Sequence, residues 1–337
     1  MRKKLLPLIL CCALLLAGCA AEPSPAPTPT PTPSVSVEEP RPVPAVQIAL
    51  IRDYMGPDCR GTDGGLLDGY GGAIRVQKLD LICDGETVTG TVEGVRAGFS
   101  DFESGCTYFR TGVRGVVGAA GGVPYVERLT YGDCQRGPGI HIQRVEEAIT
   151  DENRRIVARR WYDQPVIYDP DSEGTEAVNE YFETECQTFM DDAEGFFWGS
   201  AEGLLELAGT DRFVDQNLRE TVTTEVTYLD ELLLSVNKTC NWFMAGTSPI
   251  HYAGDTFDLR SGQRLDLDYF VKVDIADFND WVTDQVCAIA WEREEVEDCY
   301  SGLTFADYQY AYDGDSVIIF LEEPFVAGGA PVLRYKL

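Results

Sequence analysis

The sequence predicts an α+β protein, an antiparallel sheet covered by two amphipathic helices and preceded by a small β-rich, disulfide-containing domain. Three observations lead there. Between Leu232 and Leu267, Leu232, Leu234, Val236, Cys240 and Trp242 recur at period two against Ser235, Asn237, Thr239 and Asn241, the pattern of a half-buried strand. Two later stretches recur at three- and four-residue steps, as amphipathic helices do: Val178, Tyr181, Phe182, Cys186, Phe189, Met190, Ala193 and Phe197, then Ile275, Phe278, Trp281, Val282, Gln285, Val286 and Ile289. Finally, twenty of the 33 glycines lie between Gly56 and Gly139, where no helical period is found.

The chain opens with Arg2, Lys3 and Lys4, then the apolar run LLPLILCCALLL, then Leu16-Ala17-Gly18-Cys19. A basic segment and an apolar run too short to span a bilayer make a signal peptide over residues 1–18. LAGC resembles the lipobox of bacterial lipoproteins, which implies cleavage before Cys19 and lipid attachment to its thiol. Two or more acyl chains hold a protein stably on a membrane. Residues 19–45 form a tether: Glu22–Pro44 holds nine of the eighteen prolines, and proline at alternate positions permits neither helix nor sheet ladder. At about 3.1 Å per residue, such a polyproline-like segment of 23 residues reaches about 70 Å. The expected location is the outer face of a bacterial cytoplasmic membrane.

Residues 46–150 read as a domain of their own. IRVQKLDLICDGETVTGTVEGV is a hairpin turning at Asp84-Gly85, anchored by Ile74, Val76, Leu81, Val88 and Val92, and VVGAAGGVPYVERL holds a further strand pair. The glycine loops lack the strand and helix context of a nucleotide site and read as turns. Residues 151–337 form the second domain. It starts with Arg155–Ile167, an edge strand interrupted by Pro165. Asp169, Asp171, Glu173, Gly174 and Glu180 occupy positions 1, 3, 5, 6 and 12 of an EF-hand-like calcium loop. A missing entering helix and a proline at position 2 favour instead an acidic turn leading into the first helix, where acids suit the positive helix end. Val222, Thr224, Val226 and Tyr228 share one face of the next strand. The Leu232 strand follows, then a hairpin turning at Arg260-Ser261-Gly262-Gln263, the second helix, a strand pair around Asp313-Gly314, and a last strand in PVLRYKL.

Net charge is −29; removing Arg2, Lys3 and Lys4 with the leader leaves 24 basic against 56 acidic residues, or −32. Such a chain repels phosphate backbones, so a nucleic-acid partner is not expected and a cationic one is. Of eleven cysteines, eight lie beyond the leader: Cys59, Cys83, Cys106, Cys134, Cys186, Cys240, Cys287 and Cys299. An even number, scattered without any CxxC pair, suits disulfides in an oxidising compartment better than a zinc site. Cys287 and Cys299 are close enough in sequence to pair.

From Arg155 to Leu337 the order YDQPVIY, VNEYFETECQTF, LLLSVNKTCNWFMAG, TFDLRSGQRLDL, an amphipathic helix and SVIIFLEEPFVAGGAPVLRY resembles the extracytoplasmic domain of the RsiV anti-sigma factor, a domain type also found as the N-terminal part of the deacetylase PdaC. The resemblance implies an α+β domain that binds or senses at the cell envelope, where RsiV binds lysozyme. These 337 residues contain neither RsiV's spanning helix and sigma-factor segment nor a deacetylase domain. The four cysteines of this half have no counterpart in the pattern.

Catalytic signatures are sparse. His141 and His251 are the only histidines, and neither HExxH nor GxSxG occurs. The expected function is therefore a non-catalytic binding module, acting as a monomer without cofactor and taking lysozyme or a similar cationic protein. The alternatives are peptidoglycan glycan as ligand, or a hydrolase with its site in the glycine-rich half. Phe243, Met244, His251 and Phe325 are the candidate ligand-binding residues, exposed near loops and suited to a protein or glycan rim.

Overall fold

The computed structural model describes residues 41–42, 74–84, 86–97, 104–120, 123–169, 172–192, 195–208, 218–243, 250–288, 293–321 and 331–337, all within one compact unit, Pro40–Leu337. The protein is mostly β. One 11-stranded sheet runs through both halves of the sequence: β1 (Arg41–Pro42), β2 (Ile74–Asp84), β3 (Thr87–Ala97), β4 (Gly105–Ala120), β6 (Gln135–Thr150), β7 (Ile156–Tyr168), β8 (Leu218–Leu229), β9 (Leu233–Phe243), β10 (Ile250–Asp258) and β11 (Gln263–Arg264) lie in that order. β5 (Val123–Tyr131) pairs with β4 beside this path. This corrects the expected α+β class with a small separate β domain. The glycine-rich strands continue into the later ones through the β6–β7 hairpin, whose register runs from Gly139↔Tyr168 to Thr150↔Ile156.

A shared core follows from this continuity. Val95, Cys106, Tyr108 and Ile140 from the first half pack in one cluster with Val178, Phe182, Val226, Leu229, Leu234, Val236 and Phe257 from the second. Arg75 on β2 donates to the Val226 carbonyl at 2.8 Å, 151 residues away.

β7 is central, not an edge strand. It pairs antiparallel with β6 and parallel with β8, the latter only from Ala158↔Leu218 to Tyr162↔Val222. Pro165 lies beyond that parallel stretch, so its missing N–H removes no bond to β8. Side chains complete the exposed length of backbone: Thr224 Oγ1 donates to the Asp163 carbonyl at 2.7 Å, and the Asn179 amide accepts from Ile167 N at 2.8 Å and donates to Ile167 O at 2.9 Å.

The connection between the parallel strands β7 and β8 is helical, as parallel neighbours require. It contains α1 (Gly174–Asp191) and α2 (Phe196–Ala208). Phe197, expected on the first helix, belongs to the second, because the helix ends at Asp191 before Gly195. Val178, Phe182 and Cys186, one turn apart, are the buried stripe of α1. Phe182, Tyr181 and Phe257 meet edge to face at 5.1–5.4 Å between ring centroids.

The opposite face of the sheet is also covered. β12 (Gln309–Tyr312), β13 (Ser316–Phe320) and β14 (Val332–Lys336) form a second, antiparallel sheet that packs with α3 (Ile275–Cys287) and α4 (Arg293–Tyr300). Asp274 caps α3 by accepting from Ala276 N at 2.9 Å. The second predicted helix therefore exists but covers the small sheet, not the large one. The supposedly wet face of β9 lies under β12: Ser235 Oγ accepts from Tyr312 N at 2.7 Å and bonds Thr256 Oγ1 at 2.9 Å. A bulge between Val226 and Tyr228 turns Tyr228 to this face, its ring 4.7 Å from that of Tyr312.

Two glycines fix close approaches. Gly262, at φ +72, ends the β10–β11 turn against the start of α1. At Gly254 a Cβ would stand 2.2 Å from the Tyr310 carbonyl oxygen, so β12 crosses β10 only where β10 has no side chain. Gly254→Ala is expected to lower stability by about 2–3 kcal/mol through overpacking against backbone that cannot rotate away. A urea midpoint within error of the parent would contradict this packing.

Candidate functional site

A groove of about 670 Å³ lies between α1 and the sheet. Ala177, Glu180, Tyr181, Thr184, Glu185, Thr188 and Phe189 of α1 form one wall; Tyr162 of β7, Val222 of β8, Lys238 and Cys240 of β9 and Ala253 of β10 form the other and the floor. The helical residues recur at three- and four-residue steps, so a single face of α1 supplies its wall. Lys238, Cys240 and Ala253 point the same way because strand residues two apart share a face and paired strands keep that face in register.

An ion network fills the floor. Lys238 Nζ donates to both oxygens of Glu185 at 2.8 Å and lies 2.6 Å from Asp255 Oδ2. Arg264 Nε donates to Asp255 Oδ1 at 2.6 Å, and Tyr181 OH donates to the same oxygen at 3.1 Å. Tyr162 OH donates to Glu185 Oε2 at 3.0 Å, and Tyr181 OH is 3.2 Å from Glu185 Oε1. Asp255 is 2% exposed and Lys238 6%. Burial alone would lower the Lys238 pKa, but Asp255 and Glu185 outweigh it and hold the ammonium above its ordinary value. Burial, reinforced by the same carboxylates, pushes Tyr162 and Tyr181 well above the ordinary phenol range, so both remain neutral donors. Every charge here has an opposite partner, which is the condition for holding charges out of water.

A second buried cation joins the two helices. Arg160, 1% exposed, donates to the Phe189 carbonyl at 3.0 Å, to the Met190 carbonyl and to Glu147 Oε2 at 3.1–3.2 Å, with its guanidinium 5.0 Å from the rings of Phe197 and Trp198. It neutralises the negative C-terminal end of α1.

The sequence-predicted site residues are only partly brought together. His251 pairs with Cys240 and shares its face, an exposed side chain on β10 beyond the groove. Phe243 lies on the opposite face of β9, under the Arg219 guanidinium 5.4 Å from its ring. Met244 and Phe325, with Cys19, Cys59 and Asp171, lie outside the described residues. Asp169 precedes α1, Glu173 adjoins its first turn, and Glu180 stands on the groove rim about two turns beyond Glu173; no group of three or more His, Cys, Asp or Glu among the described residues is arranged to hold a metal. His141 is exposed on β6, paired with Gly105 and Val166.

The expectation of disulfides is also corrected. Cys106, Cys134, Cys186, Cys240, Cys287 and Cys299 are free thiols, and Cys83 is placed only by its backbone on β2. Cys106 is buried in the main core, its thiol pushed up to about 12 by burial, whereas Cys134 lies in the loop before β6. Cys186 and Cys240 share one apolar cluster, and Cys287 and Cys299 pack against another, as small apolar side chains.

Lys238, Asp255 and Glu185 were not singled out by their sequence. A signal was available: Lys238 falls in register with Leu234, Val236 and Cys240, so a cation occupies the inward face of an otherwise apolar strand.

No protein-family model matches the chain, and no curated protein does. Solved structures to which it is similar include a member of the DUF3298 family from Bacteroides fragilis, at 14% identity and a TM-score of 0.41, covering 59% of this chain and 89% of that one. Another is a DUF3298 family protein from Pseudomonas aeruginosa, at 11% identity and a TM-score of 0.34, covering 58% and 89%.

Proposed function

We propose that this protein is a lipoprotein anchored through Cys19 on the outer face of a bacterial membrane, and that its folded unit binds a cationic envelope-active protein such as lysozyme without catalysing a reaction. The observation that carries this reading is the charge of the helical layers. α1 holds five acids, α2 two, α3 three and α4 four, against one base, Arg293. Glu176, Glu180, Glu183, Asp277, Asp280 and Asp284 are exposed. Bases lie mainly on the strands, several of them already paired with acids, as in Arg144–Asp163, Arg159–Glu146 and Arg160–Glu147. The outward helical surfaces therefore present one sign of charge, which steers an oppositely charged protein and speeds encounter. The lipobox and the RsiV-like order of motifs support the same setting.

The test is calorimetric titration of the full chain with a C-type lysozyme at two salt concentrations, beside an unrelated protein of equal basicity. Saturable binding to lysozyme that weakens with salt, and is absent with the control, is expected. No heat at low salt ends the lysozyme reading. The aromatic walls of the groove favour glycan as the second reading, and soluble peptidoglycan fragments in the same cell test it.

A further inference from the structure

We propose that the groove under α1 is the seat for one basic side chain, arginine or lysine, carried on an exposed loop of the cationic partner; this rests on the reading above and assigns it a place. A volume of about 670 Å³ exceeds a single side chain and suits one residue with its flanking backbone. The walls are the rings of Tyr162, Tyr181 and Phe189, with Val222 and Ala177 between them. Such walls accept an alkyl stem along the rings and a cation against their faces.

The charge of the groove selects the head group. Glu185 already accepts from Lys238 twice and from Tyr162, with Tyr181 at its other oxygen, so its acceptor capacity is taken. Lys238 in turn is neutralised by Glu185 and Asp255 and offers nothing to an anion. The carboxylate of Glu180, on the rim, has no hydrogen bond or ion pair with another described residue, its backbone carbonyl alone accepting from Thr184 Oγ1 at 2.8 Å, and the remaining charged residues of α1 are acids. A ligand cation therefore meets a free carboxylate at the mouth and apolar rings beneath it. An anion meets only repulsion.

Cys240 in the groove supplies a readout independent of the protein partner. Its thiol lines the groove and is raised chiefly by burial, so alkylation is expected to be slow and an occupant to slow it further. The detergent-solubilised full chain is treated with iodoacetamide in the presence of acetyl-Gly-Arg-Gly-amide or its norleucine counterpart, and modification at Cys240 and Cys134 is followed by peptide mapping. The arginine peptide should protect Cys240 and leave Cys134 unchanged, and Glu180→Gln should raise the half-protecting concentration about fivefold, the worth of one partly exposed ion pair. Equal protection by the norleucine peptide, or none by either, overturns the proposal. Thr184→Trp, which fills the mouth from an exposed position on α1, should weaken lysozyme binding at least tenfold. Unchanged binding by this variant removes the groove while leaving the cationic-partner reading intact; absence of binding by the parent chain removes the reading itself.

Discussion

Replacing Lys238 with methionine is expected to destabilise the protein by about 3–5 kcal/mol at neutral pH, because breaking a buried ion pair leaves its partners uncompensated. Two carboxylates lose their cation together. Arg264 remains on Asp255, but Glu185 retains only phenol donors. The pH dependence has a definite sign. In the parent, the Lys238 pKa is raised above its unfolded value, so its contribution is complete below about pH 10 and disappears as pH rises through the folded pKa. Tyr162 and Tyr181, raised likewise, add to the loss in the same alkaline window. Urea titrations of parent and variant at pH 7 and 11 measure this. A deficit under about 1 kcal/mol at pH 7, or one that grows between pH 7 and 11, would contradict the network.

Arg160→Met should cost a similar amount, about 3–5 kcal/mol. Methionine fills much of the volume between Phe197 and Trp198 but cannot donate to the Phe189 and Met190 carbonyls or to Glu147. Those carbonyls end α1, where four backbone acceptors always lack helical partners. Glu220, raised chiefly by burial, also loses the cation that pulls it down. Hydrogen exchange should locate the loss at Phe189–Asp191 and α2, with less change in β12–β14. Uniform loss of protection, or no loss of stability, would show that Arg160 does not join the helices.

The elements were legible where the period was local. The β2–β3 hairpin at Asp84, the β10–β11 turn at Gly262, the stripe Val178–Phe182–Cys186 and the strand pair around Gly314 all stand where spacing placed them. What spacing cannot encode is partnership. Pro165 suggested an edge because proline forfeits a ladder bond, yet the bond it forfeits lies past the end of the β8 pairing. Ser235 and Asn237 suggested a wet face because nothing in their own strand announces β12, some 75 residues later. The Thr227 bulge that turns Tyr228 over shifts a two-residue period by one, an event that no run of side chains marks. For the site, the strand register puts a cation at Lys238 among apolar residues, and only the fold shows which carboxylates answer it.

The continuity of the sheet across the β6–β7 hairpin bears on how the chain acquires its structure. Val95, Cys106 and Tyr108 are made early but bury themselves against Val226, Leu229 and Leu234, more than 100 residues later. Loop closure on that scale precedes any reward, so folding should be slow, with high contact order and little gained from the first strands alone. Until β8 and β9 arrive, β2–β4 are a set of sticky, unfinished edges, and a chain emerging N-terminus first passes through its most aggregation-prone state just before completion.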